Sequence, residues 1–235
     1  MKMFRFSTMA LAATAAVALT VAPAAADQIA TSAGSYQTGS GGEFTFTAVG
    51  GWLDTSSYSS YTHSGNSFQT FCIEAGENVT LGNTYNAQLN THAMYGGQPA
   101  PGDELSQGTG WLYSLFATGN LTGYNYTGSV ADRKNSAGLL QQTLWWLEGE
   151  TNSGGASNVF GLAVISQFGS AAAAMGGSST TYGVMAVNLW TGNDPSQSRA
   201  QDGLFYRSVP DGGATLALLG GALMALGAAR RRFMN

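Results

Sequence analysis

Cys72 is the single cysteine of this 235-residue chain and sits in the stretch Thr70-Phe71-Cys72-Ile73-Glu74. A lone thiol closes no internal disulfide. In an oxidising compartment it is buried and inert, paired with another molecule, or bonded to something else in its own chain. A chemical partner exists in Leu140-Gln141-Gln142-Thr143-Leu144-Trp145-Trp146-Leu147-Glu148. A thiol and a glutamine carboxamide held in contact can condense with loss of ammonia, leaving an internal thioester that is both a cross-link and a stored electrophile. An amide is a poor acyl donor, so the condensation depends on holding the thiol at attack distance on rigid elements. The bond also needs shielding from water, for which Phe71, Trp111, Trp145 and Trp146 are available. A small amine or a lysine that reached it would form a lasting amide and free the thiol. Glu74, two residues past the cysteine, is placed either to accept hydrogen bonds that fix the site or to stand as an ordinary exposed strand-end acid.

Two other readings compete. Cys72 can be a small buried hydrophobe beside an ordinary helix glutamine, or the nucleophile of a secreted cysteine-dependent enzyme, an acyltransferase or protease. For the enzyme, a base would have to come from His63 or His92, both in loop-like sequence without a recognisable catalytic motif around them. Two histidines without a carboxylate cluster make no metal site, and the Gly-Gly stretches lack the Lys-Ser/Thr of a phosphate loop. No cofactor is implied, and the expectation is a protein that is not an enzyme.

Both ends carry export features. Lys2 and Arg5 precede an apolar run over 9–21, and Ala24-Ala25-Ala26 forms a small-residue cleavage site, so 1–26 reads as a signal peptide. At the other end Val209-Pro210-Asp211-Gly212-Gly213 is followed by the uncharged run 214–229 and then by Arg230-Arg231-Arg232. The run is short against the ~20 residues of a spanning helix. The arginines would hold its end on the cytoplasmic side and stop transfer there. The segment 27–208 is enough for one extracellular domain. Only 9% of residues are charged and the net charge is −4, which argues against nucleic acid, since phosphate binding needs clustered Lys and Arg.

The elements that must position Cys72 and the glutamines are strands, then helices, then strands. Alternation predicts strands over 28–37, 43–49, 68–73, 84–89, 182–190 and 200–208, with Cys72 on the same face as Phe68 and Thr70. A turn is expected over 39–42 and loops over 54–66, 94–108 and 120–129. Helical spacing predicts a short helix around Trp111, Leu112, Leu115 and Phe116 that Gly119 ends. A longer helix is predicted over 135–148, capped by Asn135 or Ser136, and a further one over 158–174. Gln141 lies one position past the centre of the longer helix's apolar stripe, at the core edge. The expected architecture is α+β, a β-rich sandwich or barrel-like domain with a helical insertion.

Two family resemblances attach to these residues. The end formed by Val209-Pro210-Asp211, the apolar run and Arg230-Arg231-Arg232 resembles the PEP-CTERM sorting signals in their Val-Pro-Asp form. That resemblance implies an exosortase-type transpeptidase as partner, transient membrane anchoring before the tail is removed, and a cell-surface or extracellular destination associated with exopolysaccharide or biofilm. The Phe-Cys-Ile-Glu strand, the Trp-Leu-Tyr helix, the Leu-Gln-x-Thr-Leu-Trp helix and a closing Ala-Gln-Asp strand resemble, over 68–202, the thioester-domain adhesins of bacterial surfaces. The adhesin resemblance implies a bond between Cys72 and Gln141, with Phe71, Glu74 and Trp145 in support and an amine-bearing surface or matrix ligand as partner. Thr143 departs from the family's usual alanine, and its hydroxyl is within reach of Gln141 from the same helix.

Overall fold

The computed structural model describes residues 27–39, 41–94, 102–151, 154–196 and 198–208. The expected signal peptide, the sorting motif, the apolar run and the arginine cluster lie outside the described residues. No helix among the described residues is long and apolar enough to cross a membrane.

The domain is sheet-rich, with helices inserted between its strands. Strands β1 (Asp27–Thr38), β2 (Gly41–Val49), β3 (His63–Ser64), β4 (Ser67–Thr70) and β5 (Thr84–Asn90) come first. A small ribbon of β6 (His92–Ala93) and β7 (Asp103–Glu104) follows. Helices α1 (Gln107–Ala117), α2 (Val130–Leu147), α3 (Val159–Phe168) and α4 (Ala171–Met175) come next, before β8 (Val184–Trp190) and β9 (Arg199–Tyr206). Seven strands form one antiparallel sheet in the order β3-β4-β2-β1-β5-β8-β9.

The two ends of that sheet meet. The 68–73 strand is shorter than its alternation predicts. Pairing with β2 stops at Thr70 opposite Phe44, and the chain then crosses to the other end, where Cys72 bridges Gly203 of β9 and Ile73 N–H donates to the Asp202 carbonyl at 3.1 Å. Side chains complete the seam. Thr70 Oγ1 donates to the Leu204 carbonyl at 2.8 Å and accepts from Leu204 N–H at 2.7 Å. Tyr113 on α1 lies with its hydroxyl 2.8 Å from the Gln69 carbonyl and 2.9 Å from that of Leu204. Position 203 must be glycine for this approach, because a Cβ there would stand 2.5 Å from the Phe46 ring.

Inside lies a core of Ile29, Phe44, Phe46, Phe68, Phe71, Leu204 and Phe205, closed by Leu112, Phe116, Leu140 and Leu144 from the helices. Each such fully buried side chain contributes roughly 1.5–3 kcal/mol. Phe71 packs edge-on against Phe116, with ring centroids 4.9 Å apart, which fixes the residue before Cys72.

The long helix begins earlier than its apolar stripe suggests. Ser129, not Asn135 or Ser136, is the cap: its hydroxyl accepts from Asp132 N–H while the Asp132 carboxylate accepts from Ser129 N–H, a capping box. The region 158–174 is two helices rather than one, broken where Gly169 turns left-handed at φ +80°. Tyr182 belongs to a 3-10 turn, so β8 starts only at Val184. The loops predicted over 54–66 and 94–108 contain the two-residue strands β3 and β7, and Gly41 and Gly42 open β2 rather than finishing a turn.

Candidate functional site

Gln141 sits in the middle of α2, and the side of the helix that carries it packs against the start of β2. Position 41 decides how closely. A Cβ on Gly41 would lie 2.5 Å from Gln141 Cγ and 3.1 Å from Cδ, so the bare glycine is the seat of the side chain. A buried ion pair holds helix and strand together at the other end of the contact. Arg133 Nε donates to Glu43 Oε1 at 2.7 Å and Nη2 donates to Oε2 at 2.9 Å, with both side chains sealed from solvent. Tyr124 adds a hydroxyl donor to Glu43, Arg133 reaches the Tyr61 and Tyr126 carbonyls, and its guanidinium lies 4.0 Å over the Tyr36 ring. The charges are thereby paired and their remaining donors used, the condition for carrying an ion pair in the interior.

Held in this way, the Gln141 carboxamide docks on the backbone of Cys72. Cys72 N–H donates to Gln141 Oε1 at 3.0 Å, and Gln141 Nε2 donates to the Cys72 carbonyl at 2.8 Å. Cys72 is 5% and Gln141 2% exposed. Gln141 is therefore more deeply placed than the core-edge position its spacing predicts. Burial pushes the Cys72 thiol up to about 12, so at neutral pH it is a protonated thiol. Gln142, the next residue, is exposed, and no hydrogen bond to Cys72 is found for it among those of the described residues. The Thr143 hydroxyl does not turn to Gln141. It lies 2.9 Å from Asn158 Oδ1 and 3.1 Å from the Leu139 carbonyl, tying α2 to the cap of α3.

Of the supporting residues, Phe71 is fully buried at the seam and Trp145 lies one turn beyond Gln141 on the same side of α2. Glu74 is not the exposed strand-end acid that its position allows. It is 4% exposed and shares a hydrogen bond with Glu150. Burial, and then the neighbouring Glu150, Glu77 and Asp202, push its carboxyl up to about 9. Glu150, just past α2, accepts from Ala75 N–H at 3.0 Å, so the pair links the Cys72 crossing to the end of the Gln141 helix. Two further buried acids brace the surroundings. Asp202 accepts from Met94 N–H, Asn188 Nδ2 and Leu189 N–H at 2.6, 2.6 and 3.0 Å, and burial raises it to about 7. Glu148 accepts from Ser106 Oγ at 2.8 Å, and burial raises it likewise to about 7.

The histidines are engaged elsewhere. His63 Nδ1 lies 3.0 Å from the Ser59 carbonyl, and His92 Nε2 lies 3.1 Å from Asn90. Among the described residues no group of three or more His, Cys, Asp or Glu side chains could hold a metal ion.

Gly41, Arg133, Glu43, Glu148 and Glu150 are site residues that the sequence reading did not find. Gly41 reads as turn material. Glu43 occupies what looks like an outward position of an alternating strand, and its buried partner lies on an element whose start was misplaced. The signal available was the scarcity of charge: with only 9% charged residues, a Glu at the head of an alternating strand and an Arg in the Asp-Arg-Lys run before the predicted helix are natural partners.

No curated protein and no solved structure matches the chain. Residues 208–233 match the VPDSG-CTERM motif, a sorting signal of the PEP-CTERM kind, which marks an exported, surface-directed protein whose end is processed by an exosortase-like system.

Proposed function

We propose that residues 27–208 form a thioester-bearing surface module in which the Cys72 sulfur is acylated by Gln141, for covalent attachment to amine-bearing partners or for stapling in an exopolysaccharide matrix. The observation that carries this reading is the reciprocal pair of hydrogen bonds between the Gln141 carboxamide and the Cys72 backbone. It places a buried amide against the one residue of the chain whose side chain can displace ammonia from it. Export supports the reading, since a lone thiol stored as an acyl ester is protected from oxidation. The same surroundings disfavour an enzyme, because the histidines that would serve as its base are bonded elsewhere.

Intact mass and aminolysis test it. The exported protein is expected to be one ammonia lighter than its sequence and unreactive towards thiol reagents. Methylamine should convert Gln141 to its N-methyl amide and release one thiol. Cys72→Ala and Gln141→Ala should each abolish both signals. A full-mass protein with a freely alkylated Cys72 would retire the proposal, and labelling lost only in Gln142→Ala would move the bond by one residue.

A further inference from the structure

Much of the helical side of the domain is bare of charge. No Asp, Glu, Lys, Arg or His occurs over 105–131 or over 151–193, so α1, α3, α4 and the 3-10 turn over 179–182 are uncharged throughout. Of the six large hydrophobic side chains that are exposed among the described residues, Val159 (47%), Leu162 (60%) and Met175 (37%) lie on α3 and α4. Val159, Leu162, Ile165 and Phe168 recur every third residue along α3, and each is at least partly open to solvent. The ridge ends in an aromatic row. Phe168 packs edge-on against Trp111 of α1 and against Tyr182, with ring centroids 6.2 and 6.3 Å away, and all three residues are only partly covered.

The chain leaves the domain beside this row. Arg207 N–H donates to the carbonyl of Gly183, the residue after Tyr182, at 2.8 Å, and the sorting signal begins at 208. Only 209–213 separate Ser208 from the uncharged run 214–229. Such a stretch spans at most about 20 Å when fully extended.

We propose that, until the tail is removed, the exposed ridge of α3 and the row of Trp111, Phe168 and Tyr182 rest in the headgroup layer of the membrane that holds the tail. The docking needs no bond between Cys72 and Gln141. Tryptophan and tyrosine favour the interface, where the ring meets the acyl boundary and the polar atom meets the headgroups. An uncharged face has no ionised side chain to strip of water on approach. Arg207, exposed at the exit, is placed to pair with a lipid phosphate. The tether supplies the rest. A linker this short gives an effective concentration on the order of mM, so weak interfacial partitioning is enough to orient the domain, an advantage that a freely diffusing partner lacks. Removal of the tail ends that advantage, so processing also releases the face.

The test uses the unprocessed chain, residues 27–235, in phosphatidylcholine vesicles with or without bromine on the acyl chains just below the headgroups. All five tryptophans lie within the domain, so bromine quenching reports the domain and not the tail. Wild-type emission should be weaker in the brominated vesicles. Trp111→Phe should remove most of that difference, whereas Trp52→Phe should leave it. Val159→Glu combined with Leu162→Glu, at two exposed positions, should abolish the quenching while the protein still floats with the vesicles. Cleavage at a protease site inserted after Ser208 should restore full emission and free the domain. Equal wild-type emission in the two vesicle types, or quenching that survives in the double Glu variant, would overturn the proposal. Cross-linked dimers that the double Glu variant disperses, with wild type unquenched, would overturn it in favour of a second copy of the chain on this face.

Discussion

Two atoms of one carboxamide bound to one residue's backbone leave little freedom, so small steric changes near Gln141 should have large chemical effects. Gly41→Ala is the sharpest case. Gly41 does not sit in the left-handed region, so alanine adds no backbone strain, yet its Cβ would occupy space 2.5 Å from Gln141 Cγ. The variant is expected to fold, losing about 1–3 kcal/mol to overpacking, and to show the full sequence mass because the carboxamide is pushed off Cys72. An ammonia-light Gly41→Ala protein would show that the seat is not needed. At this scale the residues that could do chemistry were legible in the sequence, because cysteine and glutamine are recognisable by type. The residue that makes room for them was not. A glycine that admits a distant side chain and a glycine that turns the chain read alike, and Gly39, Gly41 and Gly42 stand together. Thr143 shows the converse: its hydroxyl is within reach of Gln141 by sequence but binds the α3 cap and the Leu139 carbonyl, since a threonine in a helix can reach its own preceding turn.

Cys72 and Gln141 meet only because α2 and β2 are locked at a fixed spacing, and Arg133–Glu43 is the lock. Arg133→Ala would strand a buried carboxylate, which typically costs about 3–5 kcal/mol. The variant should show that loss in chemical denaturation and form less of the ammonia-light species even where it remains folded. Equal stability to wild type would mean that helix packing alone sets the spacing. The existence of most elements was legible from period, and β2 and β5 come within two residues of their predicted ends. Boundaries failed where something other than apolar period decides them. The first turns of α2 are Val-Ala-Asp-Arg-Lys-Asn, with no apolar stripe, and only the Ser129–Asp132 box announces the start. Pairing of β4 with β2 ends early because the chain is claimed by β9, a tertiary event that no local alternation encodes.

Across the whole molecule, the seam where the sheet closes on itself and the junction of α1 with the end of α2 bury carboxyls whose affinity for protons the fold raises. Glu74 is raised to about 9, and Asp202 and Glu148 to about 7, each chiefly by burial. In the unfolded chain the same groups ionise near 4–4.5. Between those values the folded state holds protons that the unfolded state has released, so stability falls as pH rises. Their contribution is complete below the unfolded values, declines through pH 5 to 7 as Asp202, Glu148 and Glu74 all titrate in the unfolded chain only, and continues to decline to about 9 through Glu74 alone. The charges facing Glu74 act in the same direction, since Glu150, Glu77 and Asp202 all raise it, while Arg199 lies on Glu77. The melting temperature is therefore expected to be highest in mildly acidic buffer and to decrease steadily towards pH 9. Glu74→Gln keeps the shape and removes the ionisation, so it should flatten the curve between pH 7 and 9 and leave below 7 only the shallower slope that Asp202 and Glu148 supply. A wild-type melting temperature that rises from pH 5 to 9, or a Glu74→Gln profile parallel to wild type above pH 7, would show that Glu74 is ionised in the folded protein. Its pairing with Glu150 would then not be the proton-sharing contact that ties the Cys72 crossing to the end of α2.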